Sequence, residues 1–502
     1  MQPMLRVFGA ALASSALVLG SSSLAFAAPE ERQEPEYKVG AIDWKPCAEV
    51  PTIDCGFLEL PVDYAKPNGE KFQLAVSRRK ANDQANKIGA MVINPGGPGG
   101  SGVNFSFGAD RYFSKEIVDK FDVIGFDPRG VARTSPIKCS ADLLAKSPSD
   151  YPKTAAEFDK LVAFNKELRA DCRQQTGAIF DHASTAEVAQ DIDSIRRALG
   201  EKKINYYGVS YGTIMGQHYA ERFGRNIRAM IIDSNMDHSL GTWKFVETEA
   251  RGAEDVFNEW VKWSDRDASS PFHGKDLRKI WKDLLAKADR GEIKDNGRVV
   301  TAEELGGSVV GMAYGPAWKQ FADFIAQLIA GNPVPAKLAA ETRPNPFPGI
   351  FCNDYNLRVS SWGEYQALNA MENRVAPNTR GSSLGHGATM GCVGFPKATN
   401  PQRPLKIAKG SPKILMTNAK HDPATVYEWA VNAHRQSREA TVFVTYEGWG
   451  HGVYDRSECT LKINNEYLVG LKLPRSGTSC AAVEPAPETS IQSAEPQIAG
   501  PF

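Results

Sequence analysis

The sequence predicts an α/β fold: a mostly parallel central sheet with helices on both faces, interrupted by a mostly helical insertion. Three observations predict it. Strand-like and helix-like runs alternate through two separate blocks of the chain. A block of helical periodicity with few strand-like runs lies between them. A serine flanked by glycines stands where a strand-like run passes into a helix-like one. The chain, at 502 residues, is long enough for a large core plus an inserted domain. Its formal net charge of zero, without a long basic run, argues against nucleic-acid and polybasic membrane partners.

In chain order, residues 1–27 have the pattern of a signal peptide. Arg6 supplies the positive start, residues 8–20 are apolar but too short to span a bilayer, and Ala25-Phe26-Ala27 fits a small-x-small cleavage site. No other segment reads as transmembrane, so the expected product is secreted and monomeric. Residues 28–40 read as a flexible segment or short propeptide. The first part of the core is expected over 41–240, with strands at 90–94, 121–126, 204–207 and 227–233. Ser184-Thr185-Ala186-Glu187 is a capping box that opens a helix with Val188, Ile192, Ile195 and Leu199 on one face, stopped by Gly200. Residues 241–409 are expected to form the helical cap. Strands at 413–417 and 441–446 resume the sheet in a second core part, 410–481, and the Pro/Ala/Glu/Ser-rich stretch 482–502 reads as a disordered tail. All eight cysteines follow the cleavage site and none forms C-x-x-C, which points to structural disulfides in an oxidising compartment rather than to a metal. Nearest-neighbour pairing gives Cys47–Cys55, Cys139–Cys172, Cys352–Cys392 and Cys459–Cys480. No metal or other cofactor is expected.

The chemistry centres on Gly208-Val209-Ser210-Tyr211-Gly212. Strand, sharp turn and helix with serine at the apex make the nucleophile elbow of the α/β-hydrolase fold, where side chains in place of the glycines would collide across the turn. A serine hydroxyl needs a base, and the base needs an orienting acid. In this fold the order is Ser, acid, His. Asp422 follows the strand at 413–417. With Pro423 at the first helical position, it is expected to cap the next helix, and Thr425 to brace that turn. His451 lies in Gly448-Trp449-Gly450-His451-Gly452, past the last strand. Asp233, at an earlier strand end, is the rival acid, and His386 the rival base. Asn94-Pro95-Gly96-Gly97-Pro98-Gly99-Gly100-Ser101-Gly102 follows a strand and is the candidate oxyanion loop, with the N–H groups of Gly97 and Tyr211 as donors. A phosphate-cradling role is the alternative, but no Lys-Ser/Thr follows and the spacing is not G-x-G-x-x-G. Asp127-Pro128-Arg129-Gly130 reads as a turn held by an Asp–Arg pair.

Together these motifs, with residues 55–64 (CGFLELPVDY), 422–425 and 450–452, resemble the secreted α/β-hydrolases of the prolyl aminopeptidase family, in particular actinobacterial tripeptidyl aminopeptidases. Ala132 and Thr134 stand where that family usually has glycine and serine. Pro95 replaces the histidine of its short members, as in the tripeptidyl type. The resemblance implies a serine exopeptidase that releases short peptides, tripeptides foremost, from the free N-termini of peptides or proteins, with proline before the cut as one option. It also implies a carboxylate that pairs with the substrate α-ammonium. Asp354 is the first candidate, with Glu247 and Glu249 as alternatives. Two other readings stay open: an esterase or lipase with the same triad, and a binding module without catalysis.

Overall fold

Strands covered by helices on both faces are apolar along most of their length, and β4 (Gly89–Asn94), β5 (Phe121–Phe126) and β6 (Ile204–Val209) are buried at every position. The computed structural model describes residues 37–295, 297–331 and 346–485. The expected signal peptide lies outside them, as do most of segment 28–40 and most of the tail 482–502. β1 (Lys45–Pro46), β2 (Asp54–Pro61) and β3 (Lys71–Arg79) pair antiparallel at one edge, and β3 pairs antiparallel with β5. From β5 the sheet is parallel through β4, β6, β7 (Ile227–Asp233), β10 (Ile414–His421), β11 (Thr441–Trp449) and β12 (Ser479–Cys480), giving ten strands in the order β1-β2-β3-β5-β4-β6-β7-β10-β11-β12. A short hairpin, β8 (Lys294–Asp295) with β9 (Arg298–Val299), stands apart.

β10 and β11 extend further than the sequence predicts, to His421 and Trp449. Their added ends carry the chain to the candidate acid and base. The capping box forms: Ser184 and Glu187 close the start of helix Thr185–Ala198. All four cysteine pairs lie at disulfide distance, with S–S separations of 2.02, 2.05, 2.02 and 1.99 Å in chain order. Among the described residues no helix is long and apolar enough to cross a membrane.

Between β7 and β10 the described residues are mostly helical, from Thr242–Arg266 to Leu384–Cys392, with the β8–β9 hairpin among them. Part of this segment builds its own core around Trp260 and Trp281. Another part, including Phe245, Phe351 and Cys352, joins the core of the sheet. The insertion is therefore fused to the body through shared apolar packing, which contributes roughly 25 cal/mol for each Å² of apolar surface buried.

The Asp127–Gly130 turn forms, but Asp127 and Arg129 do not pair. Arg129, fully buried, makes a two-pronged bond with Asp191, at 2.8 Å from Nε and 2.7 Å from Nη2. Asp127 accepts instead from Ser101 Oγ, Val103 N and Arg133. The two side chains leave the turn in different directions, each to a partner distant in sequence. Ala132 sits at φ 42°, the left-handed region that favours glycine, so the alanine is tolerated at some cost in strain. Thr134 keeps a working hydroxyl there, accepting from Ala75 N at 2.9 Å.

Candidate active site

Ser210 follows directly on β6 at φ 59°, the strained backbone expected of an elbow. The flanking glycines are required by contact. A Cβ on Gly208 would lie 2.6 Å from Gly212 O, and one on Gly212 would lie 2.7 Å from Asn94 O. The glycine loop after β4 presses on the same turn, since a Cβ on Gly96 would lie 2.5 Å from Val209 O and 2.7 Å from Tyr211 N. This close approach sets the loop carrying Gly97 beside the Tyr211 amide. Among the described residues neither the Gly97 nor the Tyr211 N–H donates to a protein acceptor, so both remain available to a developing oxyanion.

His451 follows β11 and Asp422 follows β10, the neighbouring strand. His451 Nδ1 lies 3.0 and 3.1 Å from the two Asp422 carboxylate oxygens. Nε2 is buried and makes no hydrogen bond to any described residue, Ser210 included. Asp422 is not the cap of the following helix, which begins at Tyr427. Its Oδ1 accepts from the N–H groups of Ala424 and Thr425, both at 2.9 Å, and its Oδ2 from Thr425 Oγ1 at 3.1 Å. This tight turn fixes the carboxylate before the helix starts.

Asp233, the rival acid, serves the same loop from beneath. It accepts from Tyr207 OH at 2.8 Å and from Val453 N at 2.9 and 3.1 Å, while Gly452 N donates to Ser234 Oγ at 2.8 Å. Burial pushes its carboxyl above the ordinary range. His386, the rival base, is buried in a pair with Glu372 at 2.9 Å and donates to Asp150 O through its other nitrogen at 2.9 Å.

Two contributors to the site were invisible in the sequence. Tyr314, from the insertion, accepts from His451 N at 2.9 Å through its carbonyl and sets its ring edge-on to the imidazole at 5.1 Å. Arg456 donates to the carbonyls of Gly452, Tyr314 and His451. Tyr314 contributes a backbone carbonyl and the Arg456 guanidinium binds only backbone carbonyls, so no side-chain pattern in the sequence announces either.

The three carboxylates expected to meet an amine have different surroundings. Glu247 is at the surface, bridged to Arg251 at 3.3 Å and Lys244 at 3.6 Å. Asp354 is fully enclosed and accepts from Thr185 N and Oγ1, Tyr211 OH and Asn400 Nδ2, so its oxygens are already taken. Glu249, on helix Thr242–Arg266, is 2 % exposed, and its Oε2 has no partner among the described residues. Burial, reinforced by the Asp422 charge, pushes its carboxyl well above the usual range.

The family model of the alpha/beta hydrolase fold matches residues 89–455. The chain is 30% identical over 453 residues to a tripeptidyl aminopeptidase of Streptomyces coelicolor, covering 82% of this chain and 80% of that one. It is 30% identical over 512 residues to serine protease Hip1 of Mycobacterium tuberculosis, covering 94% and 96%. It is also 29% identical over 462 residues to carboxylesterase B of Mycobacterium tuberculosis, covering 86% and 87%.

Proposed function

This chain belongs to the α/β-hydrolase family as a serine hydrolase related to peptidases, and from that premise we propose that it is an exported aminopeptidase releasing short peptides, tripeptides foremost, from free N-termini. In this reading Ser210 attacks the scissile carbonyl, and His451 Nε2 takes the hydroxyl proton and then delivers it to the leaving amine. Asp422 holds the imidazole tautomer through Nδ1, and the amides of Gly97 and Tyr211 receive the oxyanion. Water then hydrolyses the acyl-enzyme by the same proton path.

The observation that carries the aminopeptidase reading is Glu249. A buried carboxylate with an unpaired oxygen is costly unless a ligand completes it, and this one is close enough to feel the Asp422 charge. An α-ammonium is the complementary group. The four disulfides support export.

The esterase reading is favoured by the carboxylesterase relative, because one triad performs both reactions. Chromogenic amides of one, two and three residues, free and N-acylated, together with acyl esters, separate the two. The aminopeptidase reading expects turnover of free peptidyl amides and little of blocked ones. Turnover confined to the esters would overturn it.

A further inference from the structure

Asp354 is drawn into the site from the far side. It ends helix Phe347–Asp354 of the insertion, two residues after Cys352, whose disulfide partner Cys392 closes the last described helix of that insertion. Its carboxylate joins segments remote in sequence. Oδ2 accepts from Tyr211 OH at 2.6 Å. Oδ1 accepts from Thr185 N and Oγ1, both at 2.9 Å, and from Asn400 Nδ2 at 2.7 Å. Thr185 is the first residue of helix Thr185–Ala198, so the positive end of that helix faces the anion. The Asp354 carbonyl in turn lies 2.7 Å from Nε2 of His238, in the loop after β7. A fully buried carboxylate with this many donors has one geometry.

Tyr211 is the only member of this group that belongs to the reaction centre. Its side chain is buried, and its ring packs 5.9 Å from Phe351 of the same inserted helix. Its backbone is pinned by the elbow and by the approach of Gly96. With the hydroxyl held by Asp354, the residue is fixed at both ends, and the direction of its N–H is set by both. An oxyanion donor must be aimed in advance at the place where charge develops. Loss of one such donor costs roughly 10²–10³ in kcat, so a small misdirection costs a fraction of that.

We propose that Asp354 is a positioning residue of the oxyanion hole, which acts through the Tyr211 hydroxyl and ties the aim of the Tyr211 amide to the seating of the inserted helix Phe347–Asp354. The inference rests on the elbow and oxyanion assignment above. It makes catalysis sensitive to the insertion through a path that does not touch the substrate.

The test uses the full-length protein with Y211F, D354N and the double variant. Fluorophosphonate labelling of the wild type, lost in S210A, first verifies the site. Its absence would defeat the site assignment itself, separately from this inference. Y211F removes one oxygen and keeps the backbone amide. It is expected to lower kcat about tenfold with KM nearly unchanged, and to weaken binding of a peptidyl boronate, which forms a tetrahedral adduct on the serine, by a similar factor. D354N puts an amide N–H where Tyr211 donates, or forces the amide to turn, and is expected to give the same kcat loss. The double variant is expected to be no slower than the slower single variant. Multiplying losses in the double variant, or a Y211F enzyme with wild-type kcat and boronate affinity, would overturn the proposal. If D354N does not fold, the Y211F result decides alone, with its melting temperature as the control for general destabilisation.

Discussion

Asp422 and Glu249 are two buried carboxylates, yet the turn after β10 saturates one and the insertion leaves an oxygen of the other without a partner among the described residues. Asp422 receives two backbone N–H groups, the Thr425 hydroxyl and the His451 ring. Glu249 keeps an oxygen with no partner among the described residues. A saturated buried carboxylate holds a structure in place, whereas an unsaturated one either takes up a proton or is completed by a ligand. On the proposed function, the difference separates the carboxylate assigned to chemistry from the one assigned to selecting what is cut. Asp354 is saturated like Asp422, and its proposed role is positioning.

The comparison breaks most visibly at the reaction centre. S210A and H451A are expected to lower kcat by more than about 10⁴-fold with KM little changed, measured on any amide the enzyme turns over. D422N comes next. It is expected to cost about 10⁴-fold in kcat because the imidazole loses its tautomer, whereas D233N, which loosens the histidine loop without facing Nδ1, is expected to cost about tenfold, the scale of a positioning loss. Equal losses in the two variants would mean that the acids share the role.

The selecting side is sharpened by pH. Burial holds the Glu249 carboxyl above the ordinary range, so in the free enzyme it stays protonated to higher pH than an ordinary glutamate and ionises as pH rises through its raised pKa. An ammonium pairs only with the ionised form. KM for free peptides is therefore expected to fall with rising pH, and to climb again as the substrate amine loses its proton near about 8. In E249Q the acidic limb of that profile is expected to vanish; a limb that persists would assign it to another group.

The smallest expected effect on the chemistry comes from the disulfide Cys352–Cys392. It closes a loop with a sequence separation of 40, which corresponds to about 4 kcal/mol of stability on chain entropy. The paired serine variant is expected to lower the melting temperature by several degrees, with a modest fall in kcat through the helix that carries Asp354. An unchanged melting temperature would show that the shared apolar core alone seats the insertion.

Much of the sheet and the elbow was legible in the sequence because both are local. Gly208 is dictated by a contact within a few residues of Ser210, and β4, β5 and β6 by mostly apolar runs. Asp422 as a helix cap was a near miss, since an aspartate accepts N–H groups two and three residues on in a helix cap and in a tight turn alike. Asp127 with Arg129 was a pair proposed on nearness in sequence, yet the arginine found Asp191, 62 positions away. Tyr211 with Asp354 spans 143 positions, and no local pattern encodes such a meeting. For the same reason the sequence ranks Asp354 ahead of Glu247 and Glu249, whereas burial and pairing single out Glu249 as the one with an oxygen lacking a partner among the described residues.

The most direct measurement of the central claim is kcat/KM for one tripeptidyl amide, free and N-acylated, on the wild type and E249Q. The account predicts that the wild type prefers the free substrate by at least about tenfold, the worth of one charge-assisted contact of about 1.4 kcal/mol or more, and that E249Q loses this preference through KM. A wild type that cleaves both forms equally, or an E249Q enzyme that keeps the full preference, would contradict it.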